Sequence, residues 1–215
     1  MAAVNYKKYL GIAICSFYGA VAFAGIVQIL TNKFGLYNLS ISRVVWIIQD
    51  LVCCCSMIYI AFNKVIKAAL PERIGASILA ALFISSMINI LLSFAEINIF
   101  SSLGQYASFI ITIIEMCAAA LLFYHIKAWL PIRISAFVFW IPTLCSSFYL
   151  SKLKIASELA QMNSDWSLVE SIIDDTVLCD YIALALAIIT INFTAIWIGR
   201  KPKAQHIQSN PIDII

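Results

Sequence analysis

The chain has 215 residues, of which 63% are hydrophobic and 12% are charged, and its mean hydropathy is +0.95. A soluble domain is about half apolar and about a quarter charged, so this composition excludes one and indicates an integral, multi-pass membrane protein. A spanning helix needs roughly 20 apolar residues, which leaves little chain for a catalytic or ligand-binding domain outside the bilayer. The net charge of +3 is too small to indicate a nucleic-acid partner.

Six continuous apolar segments predict six transmembrane helices. Each is long enough to cross about 30 Å of hydrocarbon as a helix. None alternates apolar with polar residues at a period of two, which excludes a β-barrel. We therefore expect an all-α bundle over residues 1–199 and a short basic cytoplasmic tail over residues 200–215. The predicted spans are residues 9–30, 44–62, 74–94, 103–124, 132–150 and 177–198.

The distribution of Lys and Arg predicts the orientation of the bundle. With the N-terminus in the cytoplasm, ten of the 14 basic residues flank the spans on that side and four flank them on the other. Both termini are therefore predicted to be cytoplasmic. The longest connection, residues 151–176, is then external, and its apolar spacing predicts a short amphipathic helix at the outer surface. Such a helix would act either as a cover over the mouth of the bundle or as a ligand-gating lid.

An internal repeat is visible in the sequence. Residues 67–76 and 127–136 share seven identities in ten positions. Both copies precede an odd-numbered span, so the repeat predicts three tandem helical hairpins in parallel orientation, whereas an inverted repeat would place related segments in opposite orientations. Pro71 and Pro131 are predicted to begin helices, because proline fits the first helical turn, where its missing N–H has no partner to lose.

Four cations occupy matching positions in the two copies of the repeat. In one interpretation they anchor the topology, because the anionic inner leaflet attracts each such side chain by about 1 kcal/mol. In the other they form a cytoplasmic ring that binds an anionic ligand, a lipid headgroup or an acidic partner. The sequence leaves both open for these residues: Lys67, Arg73, Lys127 and Arg133.

Glu115 is the most unusual residue of the predicted spans. An ionisable side chain near the bilayer centre costs about 2.5 to 3.5 kcal/mol on insertion scales. Glu115 lies twelve residues into the fourth span, and no predicted span carries Lys, Arg or His near its middle. We predict a carboxyl group that is protonated or binds a cation, with a neutral hydrogen-bonding acid as the alternative. Its expected polar neighbours are Thr112, Cys117, Ser85 and Ser86.

A second polar group is predicted in the outer third of the membrane. Asp50 lies six residues into the second span, and Arg43, seven residues earlier on the same helical face, is expected to approach it. Gln49 and Asn89 lie at similar depth, so these residues serve either as interhelical hydrogen-bonding groups or as a solute site. Asp180, three residues into the last span, is expected to reach water and to be structural.

No sequence motif indicates catalysis or a bound cofactor. There is no GxSxG, HExxH or glycine-rich phosphate loop, the seven cysteines lack CxxC spacing, and there are two histidines. We expect neither enzyme activity nor a metal. The preferred interpretation is a transport or channel-like component for a small solute or protons, with Glu115 and Asp50 on its path. The alternative is a non-catalytic accessory or sensor subunit that packs against a membrane-protein partner or a second copy. In both interpretations the lipid bilayer surrounds the protein.

Overall fold

The computed structural model describes residues 2–33, 39–94, 106–163 and 165–200. In this part of the chain all regular secondary structure is helical, and no strand is present. The tail predicted for residues 200–215 lies outside the described residues from position 201 on. The helices are α1 (Ala2–Lys33), α2 (Leu39–Phe62), α3 (Leu70–Ser93), α4 (Ala107–His125), α5 (Leu130–Val138), α6 (Trp140–Asn163) and α7 (Ser167–Gly199).

Six helical segments within these ranges are long and apolar enough to cross a membrane. Each coincides with one predicted span, which confirms the all-helical multi-pass fold; α5 and α6 together form the fifth. Helices suit these segments, because in the hydrocarbon of a bilayer every backbone N–H and C=O of a span must be paired within its own segment. The segments are Tyr6–Thr31, Ile41–Phe62, Leu70–Ser93, Ala107–His125, Leu130–Met162 and Ser167–Gly199.

The prediction of a long external connection at residues 151–176 is wrong. Helix α6 continues to Asn163 and α7 begins at Ser167, so almost all of that segment is helical. The two helices hold each other there through a small apolar core of their own. With 33 residues, α7 is about 50 Å long at helical rise, which exceeds the roughly 30 Å of a bilayer core. The residues of this second core are Ala156, Ala160, Val169 and Ile172.

A side chain in the turn between α6 and α7 fixes the start of α7. Asp165 Oδ1 accepts a hydrogen bond of 3.0 Å from the backbone N–H of Ser167. This bond favours the charged carboxylate, so it lowers the pKa of Asp165 below its ordinary value. A negative charge at this position also complements the positive end of the helix dipole.

The six spans form a closed ring. Each packs against its neighbours in chain order, and α7 packs against α1 to complete the circle. Among the described residues, helices on opposite sides of the ring make no close backbone contacts. The space along the axis of the ring must therefore be filled by side chains, and how well they fill it decides where a cavity remains.

One end of the bundle is formed by the start of α1, the end of α7 and the connections at residues 63–69 and 126–129; we call it the basic end. The Lys7 ammonium lies 5.7 Å from the centre of the Trp197 ring, and the Arg200 guanidinium lies 4.0 Å from that of Trp129. These contacts bring the first and last turns of the bundle together. The side of a membrane that this end faces stays a prediction.

The half of the bundle next to the basic end is densely packed. Large aliphatic side chains fill the axis, and small residues let neighbouring helices approach closely. Gly75 shows how close the approach is, because a Cβ built there would lie 2.5 Å from the carbonyl oxygen of Ala118 and 3.0 Å from the amide nitrogen of Leu122. The fully buried residues of this half include Leu10, Ile14, Met57, Ile60, Leu79, Leu122 and Ile132.

Proline explains the break in the fifth span. The helix is interrupted at Phe139, three residues before Pro142. Pro142 has no N–H to donate to the carbonyl of Val138, and its ring clashes with that carbonyl, so the helix cannot continue straight. Next to the break, the Tyr18 hydroxyl of α1 donates a 2.7 Å hydrogen bond to the carbonyl oxygen of Ala136. This bond ties α5 to α1, two positions away in the ring.

The close contact at Gly75 generates a stability prediction. Gly75→Ala places a methyl group against backbone atoms of α4 that cannot rotate away, so we expect a loss of about 1–3 kcal/mol in the free energy of unfolding. Gly19→Ala is the matched control, since nothing lies within 4 Å of its added Cβ. Thermal or SDS-induced unfolding in detergent measures both. Equal stability of the two variants would contradict the packing described for α3 and α4.

The orientation of the bundle generates a second prediction. In a variant without native cysteines, Asp165→Cys and Lys64→Cys place single thiols at exposed positions near opposite ends of the bundle. We expect a membrane-impermeant thiol reagent to label position 165 from outside intact cells, and position 64 only after the membrane is opened. Labelling of both from the same side would refute the six-span topology, and the reverse pattern would refute the orientation.

Candidate functional site

A cavity of about 960 Å³ occupies the axis of the ring in the half away from the basic end. All six spans contribute to its wall, and it is partly open. The cavity exists because the aliphatic packing of the other half is not continued here. Pockets for drug-sized molecules range from about 300 to 1,000 Å³, so this one can hold a small organic molecule.

Aromatic side chains separate the cavity from the packed half; we call Phe17, Phe83, Phe139 and Trp140 the aromatic floor. The ring centre of Phe17 lies 5.7 Å from that of Phe83 and 6.4 Å from that of Trp140. Phe139 and Trp140 are consecutive residues at the helix break, and their rings meet edge to face at 5.5 Å. Tilted and edge-on pairs at such distances are favourable beyond the area they bury. The floor closes the axis of the ring at this level.

Three carboxylate side chains line the cavity, from Asp50, Glu115 and Asp180. Its described lining contains no Lys or Arg. Nor do three His, Cys, Asp or Glu side chains of the described residues converge closely enough to hold one metal ion. The cavity therefore carries negative groups without positive partners from the protein lining.

Asp50 lies deeper than the sequence predicts. Helix α2 starts at Leu39, so Asp50 is the twelfth of its 24 residues and occupies its middle rather than the outer third. Its side chain is 6% exposed. The hydroxyl of Ser86 on α3 is hydrogen-bonded to the carboxyl group, whereas Oδ2 has no hydrogen-bond partner in the described part of the chain.

The predicted approach of Arg43 to Asp50 is wrong. The Arg43 guanidinium lies 5.1 Å from the centre of the Phe94 ring and makes no ion pair with Asp50. Seven residues of helix separate the two positions by about 10 Å, and the cation–π contact holds Arg43 near the end of the bundle. Asp50 thus remains without a cationic partner from its own helix.

Glu115 forms part of the wall between two cavities. It is the ninth of the 19 residues of α4, and it lines both the central cavity and a smaller one of about 250 Å³ between α3 and α4. Glu115 and Asp50 both line the central cavity, so a charge on one carboxyl group acts unfavourably on a charge on the other. Of the predicted neighbours, Cys117 is exposed on the outer face of α4 and does not line either cavity. The other three, Ser85, Ser86 and Thr112, line the smaller cavity with Glu115.

The structure divides the remaining predicted polar residues between the two cavities. Gln49 lines the central cavity beside Asp50, whereas Asn89 lines the smaller one. Ser86 and Glu115 belong to both walls and connect them. Similar depth therefore identified residues of one polar region, but it did not tell which helical face each of them occupies.

Asp180 is the site residue that sequence reasoning misplaced. Because α7 begins at Ser167 rather than near position 177, Asp180 is the fourteenth of 33 residues and lies in the cavity wall. Ser146 Oγ donates a 2.8 Å hydrogen bond to Asp180 Oδ1. A pattern in the sequence indicates that α7 starts before position 177. It is the helical spacing of Val169, Ile172 and Thr176, which are all buried.

The four repeated cations lie at the basic end, far from the cavity, and they are not equivalent. Lys67, Arg73 and Lys127 are exposed. Arg133 instead donates from Nε to the carbonyl oxygen of Phe123 at 2.8 Å and from Nη2 to that of Tyr124. It therefore satisfies carbonyl groups at the end of α4, where a positive charge also complements the helix dipole.

Comparison of the chain with protein-family profiles, curated protein sequences and solved structures found no match. No relative therefore names a substrate or reaction for the residues of the cavity. The chemistry of the cavity has to be inferred from its own side chains.

The unequal roles of the repeated cations generate a prediction. Arg133→Gln leaves carbonyl groups at the end of α4 without a charged donor, so we expect it to lower the free energy of unfolding by about 1–2 kcal/mol. Arg73→Gln, at the matching position of the first copy, should leave stability unchanged. Unfolding in detergent compares the two, and equal losses would contradict a capping role specific to Arg133.

Proposed function

We propose that this protein is a small polytopic transporter or channel-like component that moves a small solute or protons, with Asp50 and Glu115 on the path. The observation that carries the proposal is the central cavity, which holds three carboxylates and no basic residue in its described lining. We propose no catalytic role, since no motif in the sequence supplies one.

The electrostatics of the cavity support a cationic or protonic cargo. Carboxylates in a water-poor interior are unfavourable when charged, and two that interact with each other are more so. A proton or a bound cation relieves both effects. Asp50 and Glu115 meet these conditions, because they interact across the cavity and make no ion pair in the described residues.

The one-sided shape of the cavity also supports transport. It is partly open in one half of the bundle, and the aromatic floor and aliphatic core close the other half. In our proposal this is one state of a transport cycle, with the basic end in the cytoplasm and the cavity facing outside. Passage to the other side would require the floor to separate at the helix break of the fifth span.

The repeat fits a three-hairpin architecture, which we include in the proposal. Pro71 lies in the first turn of α3, and Pro131 lies in the first turn of α5. The two starts are stabilised differently, because Glu72 Oε2 accepts a 2.6 Å hydrogen bond from the Ala69 N–H, whereas position 132 is isoleucine. Matching starts on spans three and five support hairpins of the same orientation.

A second candidate function, an accessory or sensor subunit, is supported by the surface where the end of α6 packs on the start of α7; we call residues 151–163 and 165–176 the α6–α7 extension. Large apolar side chains are exposed there, including Met162 at 81%. Since α7 is about 50 Å long, a bilayer core of roughly 30 Å cannot cover the whole of these helices, and apolar surface that lipid does not cover is typical of a contact with a partner. The other such residues are Ile155, Leu159, Trp166 and Leu168.

Reconstitution into liposomes tests the proposed function. With a pH-sensitive dye inside and a proton gradient across the membrane, we expect the parent protein to accelerate proton or solute-coupled proton flux. Glu115→Gln should reduce that flux at least tenfold, because glutamine cannot exchange a proton. Glu158→Gln, at an exposed position on α6, is the matched control and should behave like the parent.

Two results would favour the accessory candidate instead. One is a folded parent protein that moves no protons under any gradient or solute tried. The other is a membrane protein that co-purifies at fixed stoichiometry in mild detergent and is lost when Met162 and Leu159 are replaced by serine. An active parent whose Glu115→Gln variant keeps the same flux and pH profile would remove Glu115 from the path.

A further inference from the structure

The lining of the central cavity is aromatic as well as acidic. Six aromatic side chains from five spans reach its wall. A bare proton or a hydrated inorganic ion needs neither this volume, about 960 Å³, nor a largely apolar wall. Aromatic faces attract organic cations through the negative charge of the ring face. The six are Phe17, Trp46, Phe83, Phe139, Trp140 and Tyr181.

Asp50 supplies an unoccupied acceptor in this wall. Its side chain is 6% exposed, and its Oδ2 atom has no hydrogen-bond partner among the described residues. A buried carboxylate oxygen without a partner is costly, so a donor carried by a ligand would be strongly favoured there. Trp46 lies four residues earlier on α2, on the same helical face, and also lines the cavity.

The other charged groups around Asp50 add to this preference. Glu115 interacts with it as a like charge, and Asp180 lines the same cavity. The nearest cation on the same helix, Arg43, is held over Phe94. A negatively charged ligand would meet these carboxylates without any Lys or Arg of the described lining to balance it, so an anion is disfavoured.

Building on the proposed function, we propose that the solute is an organic ammonium ion with an apolar, ring-bearing body. Its N–H groups donate to the carboxyl group of Asp50, and Glu115 and Asp180 add negative potential. Its body lies against the aromatic floor and Trp46. Different parts of the wall thus recognise the two parts of the ligand. The carboxylates bind the ammonium group, and the aromatic rings contact the organic body.

A pair of matched fluorescent probes tests this proposal on the purified full chain in detergent. One probe is a dansyl group linked through five methylene groups to a primary ammonium, and the other carries a hydroxyl in place of the ammonium. We expect the ammonium probe to bind at least tenfold more tightly, as read by dansyl fluorescence and by energy transfer from tryptophan. Equal binding of the two probes by the parent protein would overturn the proposal.

Variants then locate the interaction. Asp50→Asn should weaken binding of the ammonium probe at least tenfold and leave that of the hydroxyl probe unchanged, since it removes the charge while preserving size. Asp174→Asn, at an exposed position on α7, is the control and should change neither. Phe83→Leu should weaken the binding of both probes.

If Asp50→Asn does not fold, Asp50→Glu replaces it, and retained preference for the ammonium probe supports the role of the carboxylate. Unchanged ammonium binding in folded Asp50→Asn contradicts the role of Asp50.

The outcomes separate this inference from the proposed transport. Selective binding of the ammonium probe in detergent, without flux in liposomes, supports the ligand class and contradicts transport. Proton flux without preference for the ammonium probe supports transport and contradicts the ligand class. Displacement of the ammonium probe by millimolar potassium chloride as effectively as by phenethylammonium chloride would show a site for small inorganic cations and would also overturn the proposal.

Discussion

The closure of six helices into a ring is the constraint on which the interior depends. Because each span packs only against its neighbours, the axis has to be filled by side chains that reach across it. Near the basic end, aliphatic side chains fill the axis, and at mid-height the rings of the aromatic floor meet there. On the other side of the floor the side chains no longer fill the axis, and polar groups line the central cavity. The helix break next to Pro142 lies at the level of this change, where Phe139 and Trp140 form part of the floor.

The separation of charge follows from the same arrangement. Most of the described cations lie at the basic end, where Arg133 binds carbonyl groups at the end of α4 and others are exposed. Three carboxyl groups instead lie in the cavity wall. In an interior of low dielectric constant, such groups act over longer distances than in water. The cavity, which opens away from the basic end, would therefore have a negative potential whenever its carboxyl groups are charged.

The membrane helices could be predicted because hydrocarbon forces apolar segments to pair their own backbone groups. The helix starts at Pro71 and Pro131 could also be predicted, because proline fits the first turn of a helix. The α6–α7 extension could not be predicted in the same way, since its inner face is built from small residues such as Ala156 and Ala160, while its outer face mixes charged residues with large apolar ones. That error moved Asp180 out of the site. Similar depth grouped Asp50, Gln49 and Asn89, whereas the structure places the first two in the wall of the central cavity and Asn89 in that of the smaller one. The helical face of Asn89 depends on which helices are neighbours, and nothing in one sequence specifies the order of the ring.

Helix α7 connects the tip of the extension to the cavity as one uninterrupted rod. Its first turns pack against α6 beyond the length of a bilayer, Asp180 lies near its middle, and its last turns contact the basic end. A continuous helix transmits a tilt along its whole length, so a force applied at the extension would shift Asp180 relative to Asp50 and Glu115. By its geometry the extension is therefore a lever arm, because one continuous helix joins its tip to the wall of the cavity.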